Sequence, residues 1–336
     1  MVRKKDGTTR FCVDYRKLNN LTLKDAYPLP RIDESLDNLS GNAWFSTLDL
    51  CSGYWQVSVK KEDRPKTAFV TRKGLFQFRK MPFGLTCAPA TFQRLMETVM
   101  AGLQWEICLI YLDDVIVVGR TFEHMIENLS KVLDRIVTAG LKLKPKKCVL
   151  FSRKVLYLGH VITEKGISTD PEKVAAVKNW PEPCNISEVR SFLGICGYYR
   201  RFIEKFAEIA KPLTKLTEKG TALVWTKECQ DAFTGLKARL CSAPVLAMPD
   251  FKQPFILDTD ASNFAIGSVL SQRIDGKERP IAYASQTLTM AERQYCVTRK
   301  ELLVVVNFCK YFKHYLYGKQ FKVHTDHGSL RWLLNV

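Results

Sequence analysis

The 336 residues, 46% hydrophobic and 25% charged, are enough for two or more domains with full hydrophobic cores. No apolar run is long enough to span a membrane and the amino terminus lacks the apolar core of a signal peptide, which predicts an intracellular protein, in a cytoplasmic particle or the nucleus. A net charge of +17, spread over both halves, suits either a polyanion such as nucleic acid or a basic surface that only keeps the protein soluble.

Three predicted strands in the first half of the sequence carry acidic side chains. The segment that leads to Asp49 predicts one strand. Residues 109–112 and 115–118 are apolar segments on either side of Asp113 and Asp114. This pattern is typical of a β-hairpin with a tight turn.

Helical spacing follows the hairpin. Residues 121–139 repeat apolar side chains as an amphipathic helix does, and Gly140 stands where such a helix would end. A basic stretch, residues 141–148, comes next, and residues 157–162 predict another strand or hairpin. After a proline-rich break, a second basic helix is predicted from Ser187. The cations of both basic segments either contact duplex phosphates or form an ordinary solvated face.

The last third of the sequence has the pattern of a mixed sheet with helices. Residues 255–260 and 265–270 predict two consecutive strands, and residues 321–326 predict a final one. Thr289 begins the T-x-x-E spacing of a capping box, which predicts a helix that reaches about Tyr315.

The cysteines and histidines do not have the spacing of a metal module. The eleven cysteines are odd in number and include no C-x-x-C pair, which predicts reduced, mostly buried thiols. His324 and His327 flank Asp326, where we expect them to be hydrogen-bonded polar residues rather than metal ligands.

The carboxylates of the first half could form a two-metal site. Acidic groups that converge in a sheet can hold two divalent cations about 3.5–4 Å apart. If Asp49 and Asp113 meet, one ion would lower the pKa of an attacking hydroxyl and the other would stabilise a leaving pyrophosphate oxygen. Magnesium suits ligands that are all oxygen. The alternative is a plain hairpin turn, in which Asp is common, although three adjacent carboxylates would then repel one another.

Several motifs resemble those of the reverse transcriptases of Gypsy-type long-terminal-repeat retrotransposons, and they occur in the same order over the whole chain. Residues 111–114 (Tyr-Leu-Asp-Asp) resemble the Y-x-D-D box, residues 48–56 the first metal-binding motif, residues 81–93 the template- and nucleotide-facing motif, residues 11–19 the fingers strand, and residues 157–160 the primer-grip region.

The resemblance implies an α/β (α+β) fold with the right-hand architecture of a polymerase. Fingers and palm would occupy residues 1–150, a thumb-like connection region 151–215, a tether 216–250, and a C-terminally truncated RNase H-like domain of mixed sheet and helices 251–336. The implied reaction is RNA-directed DNA synthesis on an RNA template and DNA primer, with dNTPs as substrates and two Mg²⁺ ions in each active site.

The resemblance also implies roles for individual residues of the polymerase site. Asp49, Asp113 and Asp114 match the metal site, in which Asp49 and Asp113 would bridge the ions and Asp114 would be more peripheral. Tyr54 matches the position that screens the sugar 2′-hydroxyl and so favours dNTPs over rNTPs. A rigid ring under the ribose would leave no room for an extra oxygen.

Three further residues match positions near the incoming nucleotide. Lys4 and Arg10 match fingers residues that neutralise the triphosphate, and Phe83 matches a residue near the nucleotide. Taken alone, the two cations could equally lie on a solvated face and Phe83 in a core. Cys87 departs from the family, which usually has Asn there, and a thiol cannot supply the donors of an amide.

A second group of carboxylates lies in the last third of the sequence. Asp260 and Asp326 each end a predicted strand, and Glu301 lies in a predicted helix, so the three could converge on another two-metal site. An aspartic protease is disfavoured because its Asp-Thr/Ser-Gly motif would need glycine where Asp260 follows Thr259. The resemblance implies that these three residues bind metal for hydrolysis of RNA in an RNA–DNA hybrid.

The family has a fourth RNase H carboxylate downstream of Asp326 and further fingers residues upstream of Met1, so we expect a piece of a longer Pol polyprotein that also includes protease and integrase parts. The alternative is a decayed or domesticated remnant that binds nucleic acid without catalysis. A purely structural polyprotein domain is the remaining alternative.

Overall fold

The structure is a computed structural model that describes residues 2, 3, 7 and 9–330, with residues 2, 3 and 10 described by their backbone alone. The chain forms two compact units that divide between Leu158 and Gly159. Both units combine helices with sheets, which confirms the predicted fold class. Within the described residues, no helix is both long and apolar enough to cross a bilayer.

The first unit is built mainly from antiparallel strands. They are β1 (Val2–Arg3), β2 (Thr9–Arg10), β3 (Trp44–Asp49), β4 (Phe69–Thr71), β5 (Gly74–Phe76), β6 (Cys108–Tyr111), β7 (Asp114–Gly119), β8 (Val149–Ser152) and β9 (Lys154–Tyr157). The helices are α1 (Arg16–Leu21), α2 (Ile32–Asp37), α3 (Ala88–Val99) and α4 (Phe122–Thr138), and 3-10 turns occur at Gly53–Gln56, Lys61–Thr67 and Pro145–Lys147.

A four-stranded antiparallel sheet of order β6-β7-β3-β8 forms the centre of this unit, which we call the palm sheet. The predicted hairpin is confirmed: β6 and β7 pair, with Tyr111 opposite Asp114. The four successive apolar residues 115–118 are all buried, so β7 is covered on both faces. The predicted helix is confirmed as α4, and Gly140 follows its end with a φ of 68°. Side chains from α3, α4 and the strands share one core, which includes Leu48, Phe92, Met96, Ile110, Val115, Met125, Leu129 and Val132.

Gly119 allows α4 to pack closely against the end of β7. A Cβ atom at this position would lie 2.7 Å from the Cα of Met125 and 2.8 Å from its backbone nitrogen. The same junction is held by Asn128, whose buried Nδ2 donates to the carbonyl of Val118 at 2.8 Å. Only glycine therefore fits between this strand and this helix.

Gly119→Ala is expected to lower the free energy of unfolding by about 1–3 kcal/mol, because the added methyl meets backbone atoms that cannot rotate away. Chemical denaturation followed by circular dichroism measures the change. Gly194→Ala is the matched control, since its Cβ would meet nothing within 4 Å and alanine favours a helix. Equal stability of the Gly119→Ala protein and the wild type would contradict the close approach.

The second unit contains the remaining elements. Its strands are β10 (His160–Thr163), β11 (Gly166–Thr169), β12 (Phe255–Ala261), β13 (Ala265–Ile274), β14 (Lys277–Thr287) and β15 (Phe321–His324). Its helices are α5 (Pro171–Lys178), α6 (Ile186–Tyr198), α7 (Phe206–Leu216), α8 (Lys227–Cys241), α9 (Met290–Arg293), α10 (Val297–Tyr311) and α11 (Lys313–Leu316).

A second sheet has the order β14-β13-β12-β15. The first three strands run antiparallel, and β15 pairs with β12 in parallel. Helix α10 covers one face, and the core between them includes Phe255, Leu257, Leu270, Ile281, Val304 and Phe308. The predicted strands that became β12, β13 and β15 are confirmed.

Two features of this sheet differ from the sequence-based expectations. The helix predicted from Thr289 to about Tyr315 is wrong in extent: the capping box is present, but α9 ends at Arg293. The chain is extended at Cys296 (ψ 161°) before α10 begins. Strand β14 was not predicted, although the Asp-Gly pair before it is a hairpin signal and both of its residues have positive φ.

The segment before α7 is fastened to the edge of this second sheet. Arg200 donates to the carbonyl of Ser285 at 2.7 Å, and the backbone amide of Ala207 donates to the hydroxyl of Ser285 at 2.8 Å. Arg201 is buried and donates to the carbonyl of Ile281 at 3.3 Å. Residues 216–250, expected to be a tether, contain the fifteen-residue helix α8. The expected domain boundaries at residues 150, 215 and 250 stay predictions.

Candidate active site

Three acidic residues lie together at one end of the palm sheet. Asp49 is the last residue of β3, and Asp114, the first residue of β7, is its direct partner in the antiparallel register. Asp113 lies in the two-residue turn between β6 and β7. The strand pairing therefore brings together the three carboxylates that the sequence singles out.

The electrostatics of Asp114 reflect this crowding. Desolvation, and then the negative charges of Asp113 and Asp49, raise the pKa of Asp114 to about 6, while Lys147 acts in the opposite direction. A carboxyl with a raised pKa among other carboxyls is typical of a site that awaits a cation.

A lysine that the sequence did not single out supplies the positive charge. The Nζ of Lys147 lies 2.9 Å from Oδ2 of Asp49, and this hydrogen bond raises the pKa of Lys147. The backbone amide of Lys144 donates to the carbonyl of Asp49 at 2.8 Å, which holds the two segments side by side. In the sequence, Lys147 is one cation of a basic stretch, with nothing to distinguish it from its neighbours.

The three carboxylates suit a hard divalent cation, since every candidate ligand is a carboxylate oxygen at one end of the palm sheet. Among residues 9–330, however, no three His, Cys, Asp or Glu side chains already have the arrangement that holds an ion. Asp49 instead points toward Lys147. The ammonium group of Lys147 thus engages one of the two carboxylate oxygens of Asp49.

The turn that carries Asp113 has an unfavourable backbone conformation. Leu112 has a φ of 56°, in the left-handed region that costs a residue with a Cβ about 1–2 kcal/mol. The side-chain Oε1 of Gln93, a fully buried residue of α3, accepts from the amide of Leu112 at 2.7 Å. This hydrogen bond holds the strained turn against the palm core.

Aromatic rings line the space beside the carboxylates. The ring of Tyr54 lies 5.3 Å from that of Phe83 and 5.4 Å from that of Phe92, measured between centroids. Burial, and then the charge of Asp113, raise the pKa of Tyr54. A Cβ at Gly53 would lie 2.8 Å from the ring of Phe92 and 3.3 Å from the Cβ of Asp113, so glycine is needed for this close packing.

Two predicted nucleotide contacts fall outside what the structure describes. Lys4 lies outside the described residues, and so does the side chain of Arg10, whose backbone is in β2. Cys87 precedes α3 without a side-chain cap hydrogen bond, and its thiol donates to the carbonyl of Leu23 at 3.4 Å. Asn19 binds the same loop, donating to the carbonyl of Gly84 at 2.8 Å and accepting from the amide of Thr86 at 2.9 Å.

The second group of carboxylates converges at the end of the second sheet. Glu301 of α10 is buried, and its Oε2 has no hydrogen-bond partner among residues 9–330. Burial, and then the negative charges of Asp326 and Asp260, raise the pKa of Glu301. Asp260 forms an ion pair of 2.7 Å with Lys205, the residue before α7. As expected, His324 and His327 have polar partners, Asp258 and Thr298, each at 2.9 Å.

Two parts of the chain match known protein families. Residues 2–162 match the family described as "Reverse transcriptase (RNA-dependent DNA polymerase)". Residues 225–323 match the "RNase H-like domain found in reverse transcriptase". The chain contains a reverse transcriptase domain and an RNase H-like domain. The resemblance seen in the motifs is thereby confirmed.

Relatives of this chain include retroelement polyproteins of Drosophila melanogaster. The chain is 43% identical to "Retrovirus-related Pol polyprotein from transposon 297" over 328 residues, which are 97% of this chain and 31% of the relative. It is 38% identical to that from transposon gypsy over 334 residues, 96% of this chain and 32% of the relative. The chain thus spans about a third of the length of these relatives.

Solved structures of a viral reverse transcriptase have a similar fold. "Structure of the foamy viral protease-reverse transcriptase dRH in complex with ds DNA" matches with a TM-score of 0.89 and 26% identity, over 100% of this chain and 59% of that chain. The structure of the foamy viral protease-reverse transcriptase with an RNA/DNA hybrid matches with a TM-score of 0.83 and 26% identity, over 100% of this chain and 45% of that one. Reverse transcriptases generally use divalent metal ions, for which the carboxylates described above are suitable donors.

Asp114→Asn is expected to stabilise the metal-free protein at about pH 8 and to leave it unchanged at about pH 4. The pKa of Asp114 is raised from 3.8 to about 6, so ionisation penalises the folded state only as the pH rises through this window. Asparagine cannot ionise, and the gain is on the order of 1 kcal/mol because solvent screens a partly exposed carboxyl.

Thermal unfolding in EDTA at both pH values measures this effect. Asp134→Asn, on the exposed face of α4, is the control and should leave the melting temperature unchanged at both pH values. An increase in melting temperature that is equal at both pH values would show that the charge of Asp114 does not destabilise the folded state.

Proposed function

We propose that this chain catalyses RNA-directed DNA synthesis by nucleotidyl transfer onto a primer 3′-hydroxyl, with two Mg²⁺ ions held by Asp49, Asp113 and Asp114. The observation that carries the proposal is the register of β3 and β7, which sets Asp49 opposite Asp114 with Asp113 in the adjoining turn. When bound, the ions would lower the pKa of the 3′-hydroxyl and neutralise charge on the leaving pyrophosphate.

The side chains around the carboxylates would orient the substrates. Tyr54, packed between Phe83 and Phe92, presents a rigid ring beside Asp113, which supports a role in excluding a sugar 2′-hydroxyl. Lys147 stabilises the negative cluster while no ion is bound and keeps a positive charge near the phosphates afterwards. Lys4 and Arg10 are proposed to neutralise the triphosphate of the dNTP.

The proposed partners are an RNA template, a DNA primer and their hybrid. Two observations support them: the net charge of +17, and two structures of the similar foamy viral protein, which are complexes with double-stranded DNA and with an RNA/DNA hybrid. The polyprotein names of the relatives support association with further Pol parts, for which we propose protease and integrase.

Asp113→Asn is expected to reduce dTMP incorporation on poly(rA)/oligo(dT) with Mg²⁺ by about a hundredfold or more, since the metal site loses a charge and a ligand. Primer-template affinity, titrated against salt, should be unchanged. Asp134→Asn supplies the control and should incorporate dTMP like the wild type. Equal incorporation by the Asp113→Asn and wild-type proteins would refute the metal-site assignment.

The same assay tests the alternatives. A wild-type protein that binds hybrid but incorporates nothing would support a non-catalytic remnant, and absence of binding at low salt would support a structural domain. Nothing in the comparisons favours decay, and the three palm carboxylates are present.

We also propose that the second sheet hydrolyses the RNA strand of a hybrid, with Asp260, Glu301 and Asp326 as the metal-binding residues. The buried, unpaired Oε2 of Glu301 favours this function, because a buried acceptor without a partner is costly unless a ligand satisfies it. A cation bound by Asp260 would have to displace the ammonium of Lys205.

Glu301→Gln is expected to abolish cleavage of the RNA strand while primer extension stays at the wild-type rate, because the amide keeps the shape of the side chain and removes its charge. Gel analysis of a labelled hybrid measures cleavage. Asp258→Asn, two residues before Asp260, is the control and should cleave normally. Cleavage by Glu301→Gln at the wild-type rate would exclude this residue from the site.

A further inference from the structure

A chain of side-chain hydrogen bonds runs from the edge of the first unit to the turn that carries Asp113. It begins at Tyr27, in the segment before α2, whose hydroxyl donates to Oε2 of Glu97 on α3. Oε1 of Glu97 accepts from Nε2 of Gln93 at 2.8 Å. Gln93 then accepts from the amide of Leu112 at 2.7 Å, which completes the path.

The chemistry of the partners fixes the direction of every bond in this chain. The amide of Leu112 can only donate, and the ionised carboxylate of Glu97 can only accept. The side-chain amide of Gln93 therefore has one possible orientation, with its oxygen toward Leu112 and its nitrogen toward Glu97. The second hydrogen of that nitrogen points to the carbonyl of Ile110, at 3.4 Å.

Glu97 is the member that makes this orientation unique. A neutral side chain at position 97 could both donate and accept, so the amide of Gln93 could rotate by half a turn and lose its acceptor for Leu112. Tyr27 in turn holds the second oxygen of Glu97, which keeps the first oxygen on Gln93. The strained turn at Leu112 thus depends on two residues that are distant from the carboxylates in the sequence.

We propose that Tyr27 and Glu97 are positioning residues of the polymerase site, which act through Gln93 to keep Asp113 in the geometry that metal binding requires. This proposal rests on the polymerase function proposed above. Neither residue is one of the three carboxylates proposed to hold the ions. They act by restricting the turn between β6 and β7 to one conformation, which lowers the reorganisation needed when an ion binds.

The neighbouring contacts of the same segment provide a matched control. Asp25 forms an ion pair of 2.7 Å with Arg94, whose guanidinium also lies 4.8 Å from the centre of the Tyr27 ring. These contacts fasten the segment to α3 but do not lead to Gln93. Asp25 also accepts from the backbone amide of Tyr27 at 3.1 Å, and an asparagine oxygen can keep this hydrogen bond. Asp25→Asn therefore removes the ion pair and leaves the side-chain hydrogen-bond chain intact.

The test compares Tyr27→Phe, Glu97→Gln and Asp25→Asn in the full chain on poly(rA)/oligo(dT). For Tyr27→Phe we expect kcat to fall about fivefold, with the KM for dTTP and the primer-template Kd unchanged, and the Mg²⁺ concentration for half-maximal rate to rise. Glu97→Gln should show the same pattern with a larger loss, and Asp25→Asn should match the wild type. Melting temperatures verify that each variant is folded.

Testing Tyr27→Phe in a Leu112→Gly variant separates a positioning role of Tyr27 from a general contribution to the stability of the fold. Glycine at position 112 adopts a positive φ without strain, so the turn in Leu112→Gly no longer depends on the hydrogen-bond chain. The effect of Tyr27→Phe on kcat should shrink to less than about twofold in that background.

An equal effect in both backgrounds, or an effect of Tyr27→Phe no larger than that of Asp25→Asn, would overturn the proposal. A wild-type protein without any incorporation would instead contradict the polymerase function itself, so the two failures are distinguishable.

Discussion

The main electrostatic constraint on the first unit is the repulsion among three carboxylates at the end of the β3–β7 strand pair. Antiparallel pairing of β3 with β7 forces Asp49 and Asp114 to face each other, and the hairpin adds Asp113. Like charges this close are unstable without a counter-charge. Lys147 supplies that positive charge beside Asp49 when no ion is bound. A divalent cation could supply it in place of the lysine.

The rest of the palm meets the geometric demands of this arrangement. Gly119 allows α4 to pack against β7, and Gly53 allows the ring of Phe92 to lie next to Asp113. The side chain of Gln93 accepts a hydrogen bond from the strained turn at Leu112. Gly119, Gly53, Phe92 and Gln93 are buried and have little room to move. The acidic cluster is therefore set on a rigid base, although Asp113 and Asp114 are exposed to solvent and Asp49 is partly exposed.

Features that depend only on neighbouring residues are predictable from the sequence. Two short apolar runs on either side of adjacent acids predict the β6–β7 hairpin and Asp113, because apolar runs and turn chemistry are properties of neighbouring residues. Lys147 and Lys205 could not be found this way, since each meets its aspartate through tertiary structure and resembles any other lysine in a basic protein. The end of α9 depends on a local change of backbone at Cys296 that no helix breaker marks. Strand β14, by contrast, had a usable signal in Asp275-Gly276.

The positive φ of Leu112 limits which side chains can occupy position 112 without strain. Valine or isoleucine, branched at Cβ, is a pronounced outlier in this region of backbone space, whereas glycine or asparagine enters it readily. A residue branched at Cβ between Tyr111 and Asp113 would therefore add strain to the turn that carries Asp113. The backbone of this turn thus restricts the side chains at position 112, whatever contacts those side chains make.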